Sequence, residues 1–258
     1  MIQYFPRHVE LNAIQHAKEE YPNECCGIIV DNNYIRCKNI ADDPRWNFHI
    51  NPKLIAKHTI AGDLECIIHS HVDEIGKNED TGQTYVKDYG HASKDDMIRQ
   101  ISSQIPYGIV HLDIDGNHKK TFYFGDQIPP QDLKGRTFTH GVYDCYGLLR
   151  DYYRSVFDIT LPQFPRQFGW WNDKKNSSML LDYVKESDFT ETQIDEHNPY
   201  KHGDAIFMTI LSHTVNHMGV YMERGLMMHH LCNRLSCKQP VMNFRRSISC
   251  TYRHKEFR

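Results

Sequence analysis

Residues 125–136 (GDQIPPQDLKGR) interrupt this chain with two adjacent prolines, two glycines and several charged side chains. Proline lacks a backbone N–H and glycine adds conformational freedom, so neither a helix nor a strand continues easily through such a stretch. The 258 residues are enough for two domains of about 100–150 residues each. We therefore predict two domains, residues 1–124 and 137–258, joined by a linker at 125–136.

The composition favours folded domains over a membrane or nucleic-acid-binding protein. Hydrophobic residues make up 40% of the chain, the net charge is -3 and the mean hydropathy is -0.64. No apolar run approaches the roughly 18–20 residues of a membrane-spanning helix, and no basic stripe occurs. The first ten residues lack a signal-peptide pattern, and the eight cysteines form no CxxC pair. We expect free thiols, no membrane insertion, no nucleic-acid partner and synthesis in the cytoplasm.

Both halves are predicted to mix helices and strands, which gives an α+β fold class. In the first half, apolar spacing predicts helices at 8–20, 52–60 and 94–102 and strands at 25–30, 34–40, 64–69, 107–112 and 119–124. In the second half it predicts helices at 145–157 and 178–185 and strands at 204–211, 217–222 and 226–231. The polar, glycine-containing segment 73–89 is predicted to be a loop.

The first half contains the residue types of a catalytic zinc site. His69 and His71 are two residues apart at a predicted strand end, so both side chains can point to one side. Asp96 begins the next predicted helix and adds a carboxylate, giving three protein ligands with a fourth position left for water. Glu24 is the candidate general base, and Ser93 is both the predicted helix cap and a candidate donor to an oxyanion. These residues predict Zn²⁺ as a cofactor.

These elements resemble the JAMM (MPN) metalloprotease family. Pro22–Gly27 matches the glutamate strand of that family, His69–His71 its HxH element and Ser93–Asp96 its SxxD element. The resemblance covers about residues 1–115 and implies an MPN-type α/β sandwich with zinc-dependent (iso)peptidase activity. Val72 stands where the family usually has proline.

An insertion at 73–91 also departs from that family, which has a much shorter gap between its second and third elements. We interpret the insertion as a lid, with a degenerate site as the alternative. A metal-bound site without proteolytic activity also stays open, since this fold serves as a scaffold as well. His91 is an alternative ligand.

The second half contains the residue types of a cysteine nucleophile site. Cys145 is predicted to begin a helix capped by Asp144, where the helix dipole and unpaired N–H groups lower the pKa of a thiol. His217 opens a predicted strand and is the candidate base, and His229 in the next strand is the candidate orienting group. Adjacent antiparallel strands can bring two such side chains together. We expect the Cys145 thiolate to dominate near neutral pH.

This half resembles the NlpC-type papain-like cysteine peptidases, which cut peptide bonds in bacterial cell walls. The matching segments are DCYGLL (144–149), GDAIF (203–207), HMGVY (217–221) and MMH (227–229). The resemblance covers about residues 137–258 and implies a papain-like NlpC α+β domain with Cys145, His217 and His229 as its catalytic residues. Strand alternation lets only one of His229 and His230 face the site, and the motif alignment favours His229.

A JAMM domain followed by an NlpC domain is similar to the tail-tip assembly proteins of lambda-type siphophages. The resemblance implies a virion-associated endopeptidase that acts on bacterial peptidoglycan at a D-glutamyl–diamino acid linkage. Other phage tail-tip proteins are the expected partners, with the host cytoplasm as the location during assembly and the virion tail tip afterwards. The alternatives are a structural tail-tip assembly protein with relic catalytic sites and a bacterial deubiquitinase-like enzyme, which the second half disfavours.

Overall fold

The computed structural model describes residues 4–257, which mix helices and strands in an α+β arrangement, as predicted. The chain divides into two compact units, Met1–Pro129 and Pro130–Arg258. This boundary lies inside the segment predicted to be a linker, but that segment is packed near both ends. Ile128 belongs to the core of the first unit, and Arg136 is buried in the second. No helix within the described residues is long and apolar enough to cross a membrane.

The first unit is a mixed sheet with three helices and a separate hairpin. Its elements are α1 (Arg7–Glu20), β1 (Cys26–Val30), β2 (Asn33–Cys37), α2 (Pro52–Ala61), β3 (Leu64–Val72), β4 (Glu74–Lys77), β5 (Thr84–Lys87), α3 (Lys94–Ser103), β6 (Tyr107–Leu112) and β7 (His118–Phe124). The sheet order is β2-β1-β3-β6-β7, with β3 and β6 parallel and the other neighbours antiparallel. The apolar side of α1 packs with Cys66 and Ile68 of β3. Because strand side chains alternate, His69 and His71 project from the opposite face.

The segment predicted to be a loop at 73–89 instead forms an antiparallel hairpin from β4 and β5. Ile75 lies opposite Val86 across the two strands, and both side chains are exposed. The Asn78 N–H donates to the Gln83 carbonyl at 2.8 Å and closes the turn. The loop prediction was wrong because this hairpin buries little of either face, so its sequence lacks the apolar alternation that marks a core strand.

The second unit packs two helices against an antiparallel sheet. Its elements are α4 (Cys145–Phe157), α5 (Met179–Glu186), β8 (Phe189–Glu191), β9 (Ala205–Met208), β10 (His217–Tyr221), β11 (Leu226–His229), β12 (Cys237–Pro240) and β13 (Ile248–His254). The sheet order is β12-β11-β10-β9-β13-β8. The helix α4 contacts β10 and β11, and Tyr153, Phe207 and Val220 are among the buried side chains of the shared core. This packing brings the start of α4 close to β10.

A buried ion pair fixes the turn that leads into β9. Asp204 is fully buried and accepts hydrogen bonds from Nε and NH2 of Arg253 at 2.8 and 2.9 Å. The Lys201 N–H also donates to its carboxylate, at 2.8 Å. Arg253 lies in β13, which pairs with β9, so the ion pair joins the turn to the neighbouring strand. The aspartate of the GDAIF segment therefore has a structural role in this fold.

Candidate active sites

A cavity of about 600 Å³ in the second unit is lined by both Cys145 and His217. Cys145 begins α4, and His217 begins β10, which α4 contacts. Trp170 and Trp171 also line this cavity, and Trp170 is at the same time part of the buried core. The cavity therefore brings together the predicted nucleophile, the predicted base and a pair of aromatic side chains.

The start of α4 is held by a buried aspartate. Asp144 caps the helix by accepting from the Gly147 N–H at 2.9 Å, and it also accepts from Nε and NH2 of Arg166 at 2.8 and 2.7 Å. Burial alone would raise the pKa of Asp144, but the positive charge of Arg166 holds it at about 2. A Cβ on Gly147 would lie 2.1 Å from the Val142 carbonyl oxygen, so only glycine fits there. These contacts fix the position of Cys145.

His217 and His229 are hydrogen-bonded to each other, with 3.0 Å between Nε2 of His217 and Nδ1 of His229. Gly219 lies opposite His229 in the register of β10 and β11, so His217, two residues before Gly219, shares its face. His230 follows the last residue of β11, and its Nε2 donates to the Arg234 carbonyl at 3.1 Å. Of the two histidines, His230 lines the cavity, whereas His229 contacts the site through its hydrogen bond to His217.

In the first unit, His69, His71 and Asp96 bring their ligand atoms within 4.8 Å of one another. The two Nε2 atoms are 3.0 Å apart, and the Asp96 oxygens lie 3.2 Å from His69 Nε2 and 3.4 Å from His71 Nε2. His71 Nδ1 donates to the Tyr89 carbonyl at 2.9 Å, so in the neutral ring Nε2 carries the lone pair that a metal ion would bind. Phe48 stacks on the His69 ring with 4.2 Å between centroids. This group could hold a metal ion.

The other predicted residues of the first unit surround that group. Glu24 lines an adjacent cavity of about 240 Å³, its Oε1 is 3.9 Å from His71 Nε2, and burial raises its pKa to about 8. Ser93 caps α3, and its hydroxyl donates to Asp96 Oδ2 at 2.6 Å and accepts from the Asp96 N–H at 3.1 Å. His91 lies outside the converging ligand atoms, and its Nδ1 donates to the Ala92 carbonyl at 3.2 Å.

Comparison with known proteins gives the family of the second unit. Residues 122–253, just over half of the chain, match the NlpC/P60 family. The chain belongs to this family. We refer below to residues 130–258 as the NlpC/P60 unit.

Two similar proteins are both named Tail tip assembly protein K. The protein of Escherichia phage N15 is 28% identical over 239 residues, which cover 91% of this chain and 89% of that protein. The protein of Escherichia phage lambda is 28% identical over 167 residues, covering 64% of this chain and 76% of that protein. A solved NLP/P60 family structure from Staphylococcus aureus matches 47% of this chain and 37% of its own, with 17% identity and a TM-score of 0.30.

The protonation states in the NlpC/P60 unit differ from the prediction. Burial, followed by the neighbouring Asp144 charge, raises the pKa of the Cys145 thiol to about 12. Burial, followed by the nearby His229 and His230 rings, lowers the pKa of His217 to about 3. The expected neutral-pH thiolate is therefore wrong for this structure, in which thiol and imidazole are both neutral at pH 7. The loss of hydration raises the pKa of Cys145 more than the helix N-terminus lowers it.

Two residues around this site, Arg166 and Gln239, were not predicted from the sequence. Arg166 forms the ion pair that holds Asp144, and no local sequence pattern relates the two. Gln239 in β12 lies 3.2 Å from His229, between Oε1 and Nε2. Strand alternation could have identified Gln239, because Met227 and His229 face Gln239 and Cys237 in the register of β11 and β12.

Proposed function

We propose that the NlpC/P60 unit is a cysteine endopeptidase that cleaves the stem peptides of bacterial peptidoglycan. The observation that carries this proposal is the cavity shared by Cys145 and His217, with His229 hydrogen-bonded behind the base. Membership of the NlpC/P60 family supports peptidase chemistry. The names of the two phage relatives support a role at a tail tip.

The proposed reaction begins from a neutral thiol and a neutral imidazole. His217 Nε2 is engaged by His229, so Nδ1 is the ring nitrogen that takes the Cys145 proton as sulfur attacks the substrate carbonyl carbon. The imidazolium then donates that proton to the leaving amine, the C–N bond breaks, and a thioester remains on Cys145. His217 next takes a proton from water, which hydrolyses the thioester and returns the thiol.

The proposed biological setting follows from the resemblance to NlpC-type peptidases and to phage tail-tip proteins. The bond cleaved is a D-glutamyl–diamino acid linkage in the stem peptide. The protein acts with other tail-tip proteins, meets peptidoglycan as part of a phage tail, and is made in the host cytoplasm during assembly. A structural tail-tip assembly protein with relic catalytic sites is the alternative.

Incubation with purified peptidoglycan tests the enzymatic proposal. Mass spectrometry of the soluble products should show fragments cut within the stem peptide for the wild-type chain and none for Cys145→Ala. Cys250→Ala is the matched control, because Cys250 is a free cysteine of the same unit that lies in β13 and is not among the residues lining the cavity. A wild-type chain that releases no fragments, while Cys145→Ala still supports tail assembly, would favour the structural alternative.

A second candidate function is a zinc-dependent peptidase site in the first unit, and the spacing of the ligand atoms favours it. In a tetrahedral zinc site with bonds of about 2.0–2.1 Å, ligand atoms lie about 3.3 Å apart. The measured separations of 3.0, 3.2 and 3.4 Å among His69, His71 and Asp96 fit that value. The imidazole and carboxylate donor set also fits zinc.

His69, His71 and Asp96 would hold the zinc, which when bound supplies Lewis-acid activation of a water molecule. The positive charge of the bound ion would favour the ionised form of Glu24, whose carboxylate would accept the proton of that water. The Ser93 hydroxyl would orient Asp96, as its 2.6 Å hydrogen bond indicates. The insertion at 73–91 would act as a lid over this site. Elemental analysis should find about one zinc per chain in the wild type and none in His71→Ala. Zinc retained by His71→Ala would contradict this ligand set.

A further inference from the structure

The buried histidine pair has a further polar contact on the side away from the cavity. His229 Nε2 lies 3.2 Å from Oε1 of Gln239 and 3.6 Å from Sγ of Cys237. In the register of β11 and β12, His229 is opposite Cys237 and Met227 is opposite Gln239. Both partners therefore project from the same sheet face as His229. The ring of His229 is fully buried, so water does not compete for Nε2.

An amide oxygen can only accept a hydrogen bond, so the contact with Gln239 requires the hydrogen of His229 to be on Nε2. A neutral imidazole carries one N–H, and Nδ1 of His229 must then act as an acceptor. The atom facing it, Nε2 of His217 at 3.0 Å, must in turn carry the hydrogen of that ring. Nδ1 of His217 is left with a free lone pair. This is the form of His217 that can take the proton of Cys145.

Cys237 can favour the opposite tautomer of His229, with hydrogen on Nδ1. Its thiol is a weak donor, and a hydrogen bond from sulfur to His229 Nε2 would leave the hydrogen of that ring on Nδ1. His229 would then donate to His217 Nε2, and the His217 hydrogen would be on Nδ1. A ring in that form cannot act as a base toward Cys145. The two neighbours of His229 Nε2 therefore stabilise opposite tautomers of the same pair.

We propose that Gln239 is a positioning residue that selects the productive tautomer of both His229 and His217, against the competing Cys237 thiol. Gln239 acts through the two histidines and does not contact the reacting atoms. The proposal rests on the proposed peptidase function for its consequence in catalysis. The tautomers themselves can be measured without activity.

The test uses the full chain labelled with ¹⁵N-histidine and long-range ¹H–¹⁵N correlation spectra, which show which ring nitrogen carries hydrogen. In the wild type, His217 and His229 should both be protonated on Nε2. Gln239→Met removes the acceptor at similar volume and should move both rings toward the Nδ1–H form. Gln239→Glu retains an acceptor and should keep the wild-type spectrum, as should Lys238→Met, a change at an exposed neighbour on the same strand.

Activity on peptidoglycan fragments supplies the second measurement. Gln239→Met should lower kcat at least about tenfold with KM unchanged, because only the fraction of molecules in the productive tautomer reacts. Adding Cys237→Ala to Gln239→Met should restore part of kcat and part of the Nε2–H population, because the competing donor is gone.

Three results would overturn the proposal. A wild-type spectrum that shows hydrogen on Nδ1 of His217 or of His229 would overturn it even if no variant folds. An unchanged tautomer in Gln239→Met would do so, whatever its activity. If Gln239→Met shows the Nδ1–H tautomer but keeps the wild-type kcat, Gln239 has no role in catalysis. Failure of the proposed function is distinct, since it would appear as a wild type that does not cleave peptidoglycan while its spectra still respond to Gln239→Met.

Discussion

At the residue scale, the nucleophile shows how burial can outweigh a favourable local position. Cys145 lies at a helix N-terminus, which lowers the pKa of a thiol, and this much is visible in the sequence. The loss of hydration and the adjacent Asp144 charge act in the opposite direction and prevail. Burial depends on the fold of the whole unit, so no local pattern could have revealed it. The proposed site therefore uses His217 as a base at the moment of attack.

This protonation state predicts how alkylation of Cys145 depends on pH. With a pKa of about 12, the thiolate fraction increases about tenfold for each pH unit below that value. The rate of iodoacetamide labelling at Cys145 should therefore keep increasing between about pH 7 and pH 10, without a plateau. Peptide mapping by mass spectrometry gives the rate at this residue, and a small free thiol, which does reach a plateau, is the control. A rate independent of pH from about 6 to 9 would indicate a preformed thiolate–imidazolium pair.

At the element scale, most helices and strands that bury an apolar face were predictable, but the short strand β8, which buries Phe189, and the exposed hairpin were not. The capped helix α4 begins at the predicted Cys145, and β10 begins at the predicted His217. Both elements combine a clear apolar pattern with a recognisable start. The hairpin of β4 and β5 is stabilised by pairing between its own exposed strands, which leaves little trace in the hydrophobic pattern.

The ion pair at the start of α4 predicts a large cost for Asp144→Ala. This substitution removes the helix cap and leaves the buried Arg166 guanidinium without its partner, which costs about 3–5 kcal/mol of unfolding free energy. Asp173→Ala is the matched control, because the exposed Asp173 side chain caps the short 3-10 helix Lys174–Asn176. Loss of this cap should cost about 1 kcal/mol of unfolding free energy. Urea unfolding curves give both values. Equal losses of unfolding free energy in the two variants would show that the Asp144–Arg166 pair adds no stability beyond that of the helix cap.

At the scale of the whole molecule, the two groups of predicted site residues fall into separate compact units. His69, His71 and Asp96 converge in the first unit. In the second, Cys145 and His217 line one cavity and His229 is hydrogen-bonded to His217. Ordered motifs made these residues predictable. Arg166, the partner of the capping Asp144, required the fold, because no local sequence pattern relates the two residues. Gln239 was within reach of the sequence once β11 and β12 were paired.

The division into units predicts the pattern of limited proteolysis. The exposed residues between Ile128 and Arg136 should be cut first, because exposed connecting segments without secondary structure are the preferred sites of nicking. A single cut there divides the chain of 30.4 kDa into two fragments of about 15 kDa each. Both fragments should resist further digestion, which gel electrophoresis and intact mass will show. Digestion that passes directly to small peptides would contradict two independently folded units.

The central claim is that Cys145, and not the metal-type site of the first unit, carries the cleavage of peptidoglycan. The most direct test measures release of soluble peptidoglycan fragments by two variants in one assay, Cys145→Ala and Glu24→Ala. Cys145→Ala should lose at least about 10³-fold in rate, because alanine leaves His217 without the thiol that it would deprotonate for attack on the substrate carbonyl. Glu24→Ala should cleave at the wild-type rate, since Glu24 lines a different cavity. Cleavage that survives Cys145→Ala and disappears with Glu24→Ala would contradict the claim.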